Sequence, residues 1–196
     1  MKLKYGKEEV RLPIQDKNII KILNPEEQEV LLNPENKLRE LLKNPIGCPS
    51  LRELIFQKKA SKILIIVNDI TRPTPYEIIL PPLLEELHQI GTRKENIIFM
   101  VATGIHRGNS KEELGNIFGK DLVSNYKFIN HNSDDPNLKY LGKLKSGNKL
   151  WVNPIVSDTD FIITTGVIVP HYFAGFSGGR KSILPGICGR KTIETN

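Results

Sequence analysis

The stretch VPHYFAGFSGGRKSILPG, Val169–Gly186, places His171 and Lys181 ten residues apart among glycines, small residues and aromatics. A histidine in such a loop can act as a general acid or base near neutral pH. A lysine in a partly desolvated pocket can lose its proton and become a nucleophile or a point of covalent attachment. The residue types therefore indicate a binding or catalytic loop.

The glycine-rich part of this stretch, GFSGGRKS, resembles the phosphate-binding pattern G-x-x-x-x-G-K-[ST] but does not match it, because Arg180 stands where the second glycine belongs. Gly175, Gly178 and Gly179 still allow backbone N–H groups to approach a phosphate, and Arg180 and Lys181 supply positive charge. We expect a phosphate-bearing ligand, and the pattern does not imply a triphosphate.

Two other loops carry residues of the same kind. Asp69 and Arg72 follow a first apolar run in NDITRPTP, and His106 and Arg107 follow a second in ATGIHR. Arg72 is suited to clamp a carboxylate or phosphate, and His106 and His171 across a substrate could serve as paired acid and base. Simpler alternatives stay open: Asp69 as a turn cap, Arg72 in a structural salt bridge, and His106 bonded only to local backbone.

The elements that must position these loops read as an α/β fold. The runs KILIIVND, NIIFMVATG and DFIITTGVIV predict buried parallel strands, and KFINHN predicts a weaker fourth strand. Helices alternate with them, so we expect a mostly parallel, Rossmann-like sheet with flanking helices. The three loops then lie past carboxyl ends of strands, the edge at which such sheets bind ligands.

A small β-rich region precedes this sheet, with strands predicted at KLKY, EEVRLPI and NIIKILN. Helices are predicted at residues 36–43 and 50–58, and capping boxes at Ser50 with Glu53 and at Ser110 with Glu113.

A helix is also predicted to begin with Thr74 as its cap and Pro75 at its first position, and to bend or break at Pro81 and Pro82. LKYLGKLKSGNKLWVN predicts a β-hairpin.

The remaining candidates are given no role in chemistry. His88 and His131 are interpreted as surface or loop residues, and Cys48 and Cys188 as reduced, partly buried thiols in no metal-ligand pattern.

Length and composition narrow the function classes. The 196 residues suit a single domain, 1–196, and no apolar run approaches the roughly 20 residues of a membrane helix. The charged N-terminus lacks the apolar core of a signal peptide, so we predict a cytoplasmic protein with no membrane partner. The net charge of +6 is spread among glutamates without an aromatic-basic stripe, and we predict no nucleic-acid partner.

Together, NDITRPTP, ATGIHR and PHYFAGFSGGRKSILPGICG resemble the signature blocks of the nickel-pincer-nucleotide enzymes typified by the lactate racemase family. The likeness extends from about Ile63 to Asn196 and corresponds to the N-terminal part of such enzymes. The resemblance implies an isomerase that racemises or epimerises lactate or another 2-hydroxyacid, and partner enzymes that make its cofactor.

The implied cofactor is a pyridinium mononucleotide with two sulfur-containing arms that bind nickel, attached to the protein at Lys181. The resemblance also implies cofactor contacts from Asp69, Ser177, Gly178, Gly179 and Arg180. His106 and His171 are the implied acid and base of a reversible hydride transfer, and Arg72 the residue that orients the substrate.

The family's histidine ligand to nickel is expected beyond Asn196, so no metal ligand is assigned within the chain. The family's C-terminal domain is also expected to be missing, and we therefore predict that the chain alone is inactive.

Two alternatives stay open. A P-loop-like phosphotransferase would need a Walker-type aspartate and ATP with magnesium, and a non-catalytic nucleotide- or anion-binding module would retain a ligand without turnover.

Overall fold

The structure is a computed structural model that describes residues 2–6, 8–23, 26, 29–172 and 174–196 of the chain. The backbone forms two compact units, Met1–Leu32 and Asn33–Asn196. The assignment of residues 1–196 to one domain stays a prediction. Among the described residues, no helix has the length and apolar character needed to cross a bilayer.

The N-terminal unit contains a two-stranded antiparallel sheet, which confirms the small β-rich region. Strands β1 (Lys2–Tyr5) and β2 (Glu8–Arg11) pair along their whole length, and all their residues are exposed. The predicted third strand, NIIKILN, is wrong for its described residues: Asp16–Asn18 form a 3-10 turn and residues 19–23 form no strand. Apolar alternation becomes a strand only where a neighbouring strand accepts its backbone hydrogen bonds.

The second unit alternates helices and strands. Its helices are α1 (Pro34–Lys43), α2 (Leu51–Lys58), α3 (Tyr76–Gln89), α4 (Lys111–Phe118), α5 (Lys120–Asn125) and α6 (Arg190–Thr195). Its strands are β3 (Ile63–Asn68), β4 (Ile97–Ala102), β5 (Lys127–Asn130), β6 (Lys139–Lys143), β7 (Lys149–Val152), β8 (Phe161–Thr164), β9 (Pro170–His171) and β10 (Gly175–Phe176).

Four of these strands form a parallel sheet in the order β5-β4-β3-β8, which confirms the predicted fold class. Ile63 lies opposite Ile97 on one side and Phe161 on the other. Since all four strands point the same way, their carboxyl ends lie on one edge of the sheet.

Both faces of the sheet are covered, as the continuous apolar runs predict. Ile63, Ile65 and Val67 of β3 pack on one face in a cluster that includes residues of α3. Leu64 and Ile66 point to the opposite face, where they pack with residues such as Ile187 from the C-terminal segment. The period of two in a strand therefore divides one apolar run between two cores.

Helix α3 runs without a break through Pro81 and Pro82, so the predicted interruption is wrong. Each proline costs a helix about 3 kcal/mol. Leu80, Leu83 and Leu87 of the same helix are almost fully buried, and each contributes about 1.5–3 kcal/mol on burial. Packing against the sheet therefore offsets the free-energy cost of the two prolines, which lack backbone N–H donors.

The start of α3 also differs from the prediction, because the helix is capped by Pro75 and not by Thr74. The carbonyl of Pro75 accepts the N–H groups of Ile78 and Ile79, each at 3.1 Å. The hydroxyl of Thr74 donates instead to Oδ1 of Asn68 at 2.8 Å, which ties the loop to the end of β3.

Both predicted capping boxes are confirmed. Ser50 Oγ accepts from the N–H of Glu53 at 3.3 Å, and Ser110 Oγ accepts from that of Glu113 at 3.1 Å. In each box the glutamate carboxylate accepts in return from the backbone N–H of the serine, at 2.8 Å.

The predicted hairpin is confirmed as β6 and β7, and helix α6 is fastened to it through Thr192. The hydroxyl of this fully buried residue donates to the carbonyl of Lys149 at 2.8 Å and accepts from the N–H of Trp151 at 3.0 Å. Because α6 has only six residues, it depends on these tertiary hydrogen bonds and not on its own helix propensity.

We therefore expect Thr192→Val to lower the free energy of unfolding by about 1–3 kcal/mol, the typical cost of leaving buried hydrogen-bonding groups unpaired. Urea unfolding monitored by circular dichroism would measure the change. The matched control is Thr195→Val, because the described hydrogen bond of the Thr195 hydroxyl is to the carbonyl of Lys191 within the same helix. Equal stability losses in the two variants would contradict the role given to Thr192.

Candidate functional site

A cavity of about 300 Å³ lies at the carboxyl edge of the sheet, where the three loops meet. Seven of the predicted site residues line it: Asp69, Arg72, His106, His171, Ser177, Gly178 and Lys181. The other two predicted site residues, Gly179 and Arg180, are exposed and are not among the described residues that form the walls. The convergence expected from the parallel strands is thus present for most of the set.

Asp69 and His106 form a close polar contact between two of the three loops. Nδ1 of His106 lies 2.7 Å from Oδ2 of Asp69, whose side chain is only 5% exposed. A carboxylate can only accept, so Nδ1 carries the proton of the pair and Nε2 is the basic nitrogen of the neutral ring. No pattern in the sequence indicated this contact.

The buried carboxylate of Asp69 is also held by its own loop. Its Oδ1 accepts from the hydroxyl of Thr71 at 2.6 Å and from the N–H of Thr71 at 3.1 Å. This is an Asx-type turn, so the turn-cap alternative is present together with the histidine contact. A cofactor contact by Asp69 stays a prediction.

The preceding residue, Asn68, anchors this loop to its surroundings. Its side-chain Oδ1 accepts from the hydroxyl of Thr74, and its backbone N–H donates to the hydroxyl of Tyr76. Gly166, after β8, approaches so closely that a Cβ there would lie 2.8 Å from Oδ1 of Asn68. Asn68 lines the cavity but was not a predicted site residue.

Arg72 lies at the cavity without a structural ion pair among the described residues. Its Nη1 donates to the hydroxyl of Thr71 at 3.1 Å and to the carbonyl of Thr71 at 3.3 Å. These bonds hold the guanidinium beside Asp69 through Thr71. The salt-bridge alternative finds no support in the ion pairs that the structure describes.

His171 stands in the short hairpin of β9 and β10, opposite Gly175. Its ring stacks on Tyr172 with centroids 5.1 Å apart, and its Nδ1 accepts from the N–H of Ala174 at 3.4 Å. Burial, followed by the positive charges of Lys181 and Arg72, lowers the pKa of His171 below its ordinary value.

Lys181 lies on the 3-10 turn Gly179–Ser182, and its pKa is also lowered. Burial is the main cause, the charge of Arg72 adds to it, and the carboxylate of Asp69 opposes it. A lysine of this kind loses its proton more readily than an exposed one and is a better nucleophile.

Ser177 and Gly178 shape the turn that leads to Lys181. The Ser177 hydroxyl donates to the carbonyl of Val167 at 2.6 Å and accepts from the N–H of Val169 at 2.9 Å. Gly178 has a φ of +75°, and a Cβ there would lie 3.0 Å from Ile168. The Ser177 hydroxyl is thus used within the loop, and its contact with a cofactor stays a prediction.

Arg107 follows the same strand as His106 but does not line the cavity. Its guanidinium pairs with both carboxylate oxygens of Glu113, at 2.8 and 2.5 Å. With the capping bond from Ser110, this pair lowers the pKa of Glu113 to about 2. Arg107 therefore secures the loop to α4.

The two other histidines form hydrogen bonds. His88 is exposed, which confirms the surface interpretation for it, whereas His131 lies in the loop after β5 but is not a surface residue. His131 is 2% exposed. His88 bonds through Nδ1 to the carbonyl of Thr92 at 2.9 Å and through Nε2 to the hydroxyl of Tyr126 at 2.8 Å.

The cysteines also differ from the prediction of two partly buried thiols. Cys48 is exposed and Cys188 is buried, and burial raises the pKa of the Cys188 thiol to about 12.

Comparison with known proteins identifies relatives of this chain. Residues 5–196 match the sequence family described as the lactate racemase N-terminal domain. A lactate racemase from Thermoanaerobacterium thermosaccharolyticum is 40% identical over 199 residues, which cover 100% of this chain and 46% of that protein. A lactate racemase from Lactiplantibacillus plantarum is 42% identical over 166 residues, which cover 84% of this chain and 38% of that protein. The chain thus spans less than half the length of these relatives.

Solved structures give the same result. The lactate racemase apoprotein from T. thermosaccharolyticum superposes with a TM-score of 0.84 at 38% identity, over 98% of this chain and 44% of that one. A protein from Thermotoga maritima superposes with a TM-score of 0.66 at 26% identity, over 85% of this chain and 42% of that one.

Substitutions of the two charged neighbours of Lys181 should shift its pKa in opposite directions. Arg72→Met should raise the pKa of Lys181, because it removes a neighbouring positive charge, and Asp69→Asn should lower it, because it removes the opposing negative charge. NMR titration of the Lys181 side-chain amine would measure both shifts.

Arg107→Met is the matched control, since Arg107 is neutralised by Glu113 away from the cavity, and it should leave the pKa of Lys181 unchanged. Shifts of the same sign in the Arg72 and Asp69 variants would contradict the arrangement.

Proposed function

The chain belongs to the lactate racemase N-terminal domain family, and from this premise we propose that it binds the cofactor and supplies the acid–base residues of a 2-hydroxyacid racemase or epimerase, with lactate as the first candidate substrate. The observation that carries the proposal is the cavity that brings the Asp69–His106 pair together with His171, Arg72 and Lys181. These residues come from three loops that are far apart in the sequence.

The residues that line the cavity support a lysine-linked mononucleotide as its ligand. Lys181 lies in its wall with a lowered pKa, which favours the neutral amine that covalent attachment needs. Gly178 lies in the same wall, and Arg72 adds positive charge. We propose that Lys181 holds the pyridinium nickel-pincer nucleotide, with Ser177, Gly178, Gly179, Arg180 and Asp69 around it.

Nickel enters this proposal only as part of the cofactor. Across the described residues, no group of three or more His, Cys, Asp or Glu side chains is arranged to hold a metal ion. When bound, the cofactor would supply the acceptor for the α-hydride of the substrate.

His106 is proposed as the first base. Asp69 holds its Nδ1–H and orients the ring, so that Nε2 can take the hydroxyl proton of the substrate while the α-hydrogen leaves with its electron pair. The carboxylate also stabilises the imidazolium that this proton transfer forms.

His171 is proposed as the matching acid. The keto acid produced by loss of the hydride regains it on the opposite face, and the imidazolium of His171 gives its proton to the oxygen. One histidine gains the proton that the other loses, so the two exchange roles for the reverse reaction. Burial and two cations lower the pKa of His171, which makes its imidazolium a stronger proton donor.

Arg72 is proposed to bind the substrate carboxylate. Its guanidinium lies in the cavity wall, and its described hydrogen bonds use only one of its terminal nitrogens, Nη1. A guanidinium binds a carboxylate through two parallel N–H bonds, which would fix the orientation of the hydroxyl group relative to the histidines. Enzymes that make the cofactor are the proposed partners, and the cytoplasmic location stays a prediction.

The first experiment on this proposal is an intact mass and a peptide map of the protein purified from its native host. We expect a mononucleotide adduct on the peptide that contains Lys181, and its loss in Lys181→Ala. Lys191→Ala is the matched control, because Lys191 is an exposed lysine on α6. An unmodified Lys181 while the cofactor pathway is active would overturn the proposal, and retained ATP with magnesium would favour a phosphotransferase.

The second experiment tests the two histidines. In the active holoenzyme purified from its native host, His106→Ala and His171→Ala should each lower the kcat of lactate racemisation by about 10²–10⁴-fold, the usual contribution of general acid–base catalysis. Optical rotation or chiral chromatography would follow the reaction. His88→Ala should keep nearly full activity, because His88 bonds only to Thr92 and Tyr126 among its described contacts. Full activity in the His106 variant would exclude it as a base.

A further inference from the structure

His131 is a buried histidine outside the walls of the site cavity, as far as the described residues define them. It follows β5, and its side chain and its backbone contact two different segments. Buried histidines of this kind are either simple core residues or residues that fix other groups in place. Its hydrogen bonds distinguish these roles.

The hydrogen bonds of the ring define a single tautomer. Nε2 lies 2.9 Å from the carbonyl oxygen of Cys188, which can only accept, so Nε2 carries a proton. Nδ1 lies 3.2 Å from Nδ2 of Asn153. The Oδ1 atom of Asn153 accepts from the N–H of Ile155 at 3.2 Å, so its amide group points towards His131 as a donor. Nδ1 must therefore accept, and the ring is neutral.

The backbone of His131 is bonded to the segment that leads to His106. Its N–H donates to the carbonyl of Val101 at 3.1 Å, and its carbonyl accepts from the hydroxyl of buried Thr103 at 2.8 Å. The carbonyl of Thr103 accepts in turn from the N–H of His106 at 2.9 Å. The start of the His106 loop is thus fastened to His131.

The ring of His131 is bonded to the segment that follows Lys181. The N–H of Cys188 donates to the carbonyl of Pro185 at 3.1 Å, and the N–H of Gly186 donates to the carbonyl of Lys181 at 3.1 Å. Gly186 leaves no room for a side chain, since a Cβ there would lie 2.2 Å from the carbonyl oxygen of Ser182. Residues 181–188 therefore form a tight turn whose far end is held by His131.

The two segments meet directly where the N–H of Gly104 donates to the carbonyl of Gly186 at 2.9 Å. We propose that His131 is a positioning residue that couples the loop of His106 to the turn of Lys181, through its backbone on one side and its ring on the other. The proposal rests on the function proposed above, because it assigns roles in the reaction to those two residues.

The test is amide hydrogen exchange of Gly104 and Gly186 in the full chain without cofactor, followed by NMR. In His131→Leu the carbonyl of Cys188 and the amide of Asn153 lose their partner, and we expect both glycine amides to exchange about tenfold faster or more. His131→Gln keeps a donor that can reach Cys188 and should recover much of the protection.

His88→Leu is the matched control, because it also removes a ring bonded at both nitrogens, in this case to Thr92 and Tyr126. It should leave the exchange of Gly104 and Gly186 unchanged relative to the rest of the core. Equal acceleration in the two leucine variants, or no recovery in His131→Gln, would reduce His131 to a core residue and overturn the proposal.

If His131→Leu does not fold, the ring nitrogens of the unsubstituted protein supply the test. Their ¹⁵N chemical shifts should show a protonated Nε2 and an unprotonated Nδ1, and a protonated Nδ1 would overturn the proposal. All these measurements are made without cofactor or turnover, so an inactive protein would count against the proposed function and not against the coupling by His131.

Discussion

A carboxylate removed from water must be surrounded by donors, and in this protein that requirement organises the site around Asp69. Its two oxygens accept from Thr71 and from the ring of His106, residues on two different loops. The same carboxylate raises the pKa of Lys181 against the effects of burial and of Arg72. One buried negative charge thus holds the ring of His106 and opposes the effect of the neighbouring cations on Lys181.

The cations themselves define the kind of ligand that the cavity can hold. Arg72, His171 and Lys181 lie close enough for the positive charges of Lys181 and Arg72 to lower the pKa of His171, and Asp69 alone does not balance them. A bound anion would relieve this repulsion, as both a phosphate-bearing cofactor and a carboxylate substrate would. Gathering like charges before the ligand arrives costs stability, which the apolar packing on both faces of the sheet offsets.

Patterns within a few residues determined much of the fold. Continuous apolar runs identified the buried parallel strands, since a strand covered on both faces needs no polar side, and the boxes at Ser50 and Ser110 located two helix starts. Because parallel strands share a carboxyl edge, the sequence also predicted that Asp69, His106 and Lys181 would line one cavity. The family likeness named a reaction that spacing alone could not name.

Tertiary structure decided which groups touch. The sequence did not indicate that Asp69 would hold His106, that Arg107 would turn to Glu113, or that His131 would be buried between two loops. Tertiary packing also explains why the helix is unbroken at Pro81, since packing against the sheet maintains it. Caps and strands depend on neighbours along the chain, whereas these contacts depend on the order of the strands and the path of the loops between them.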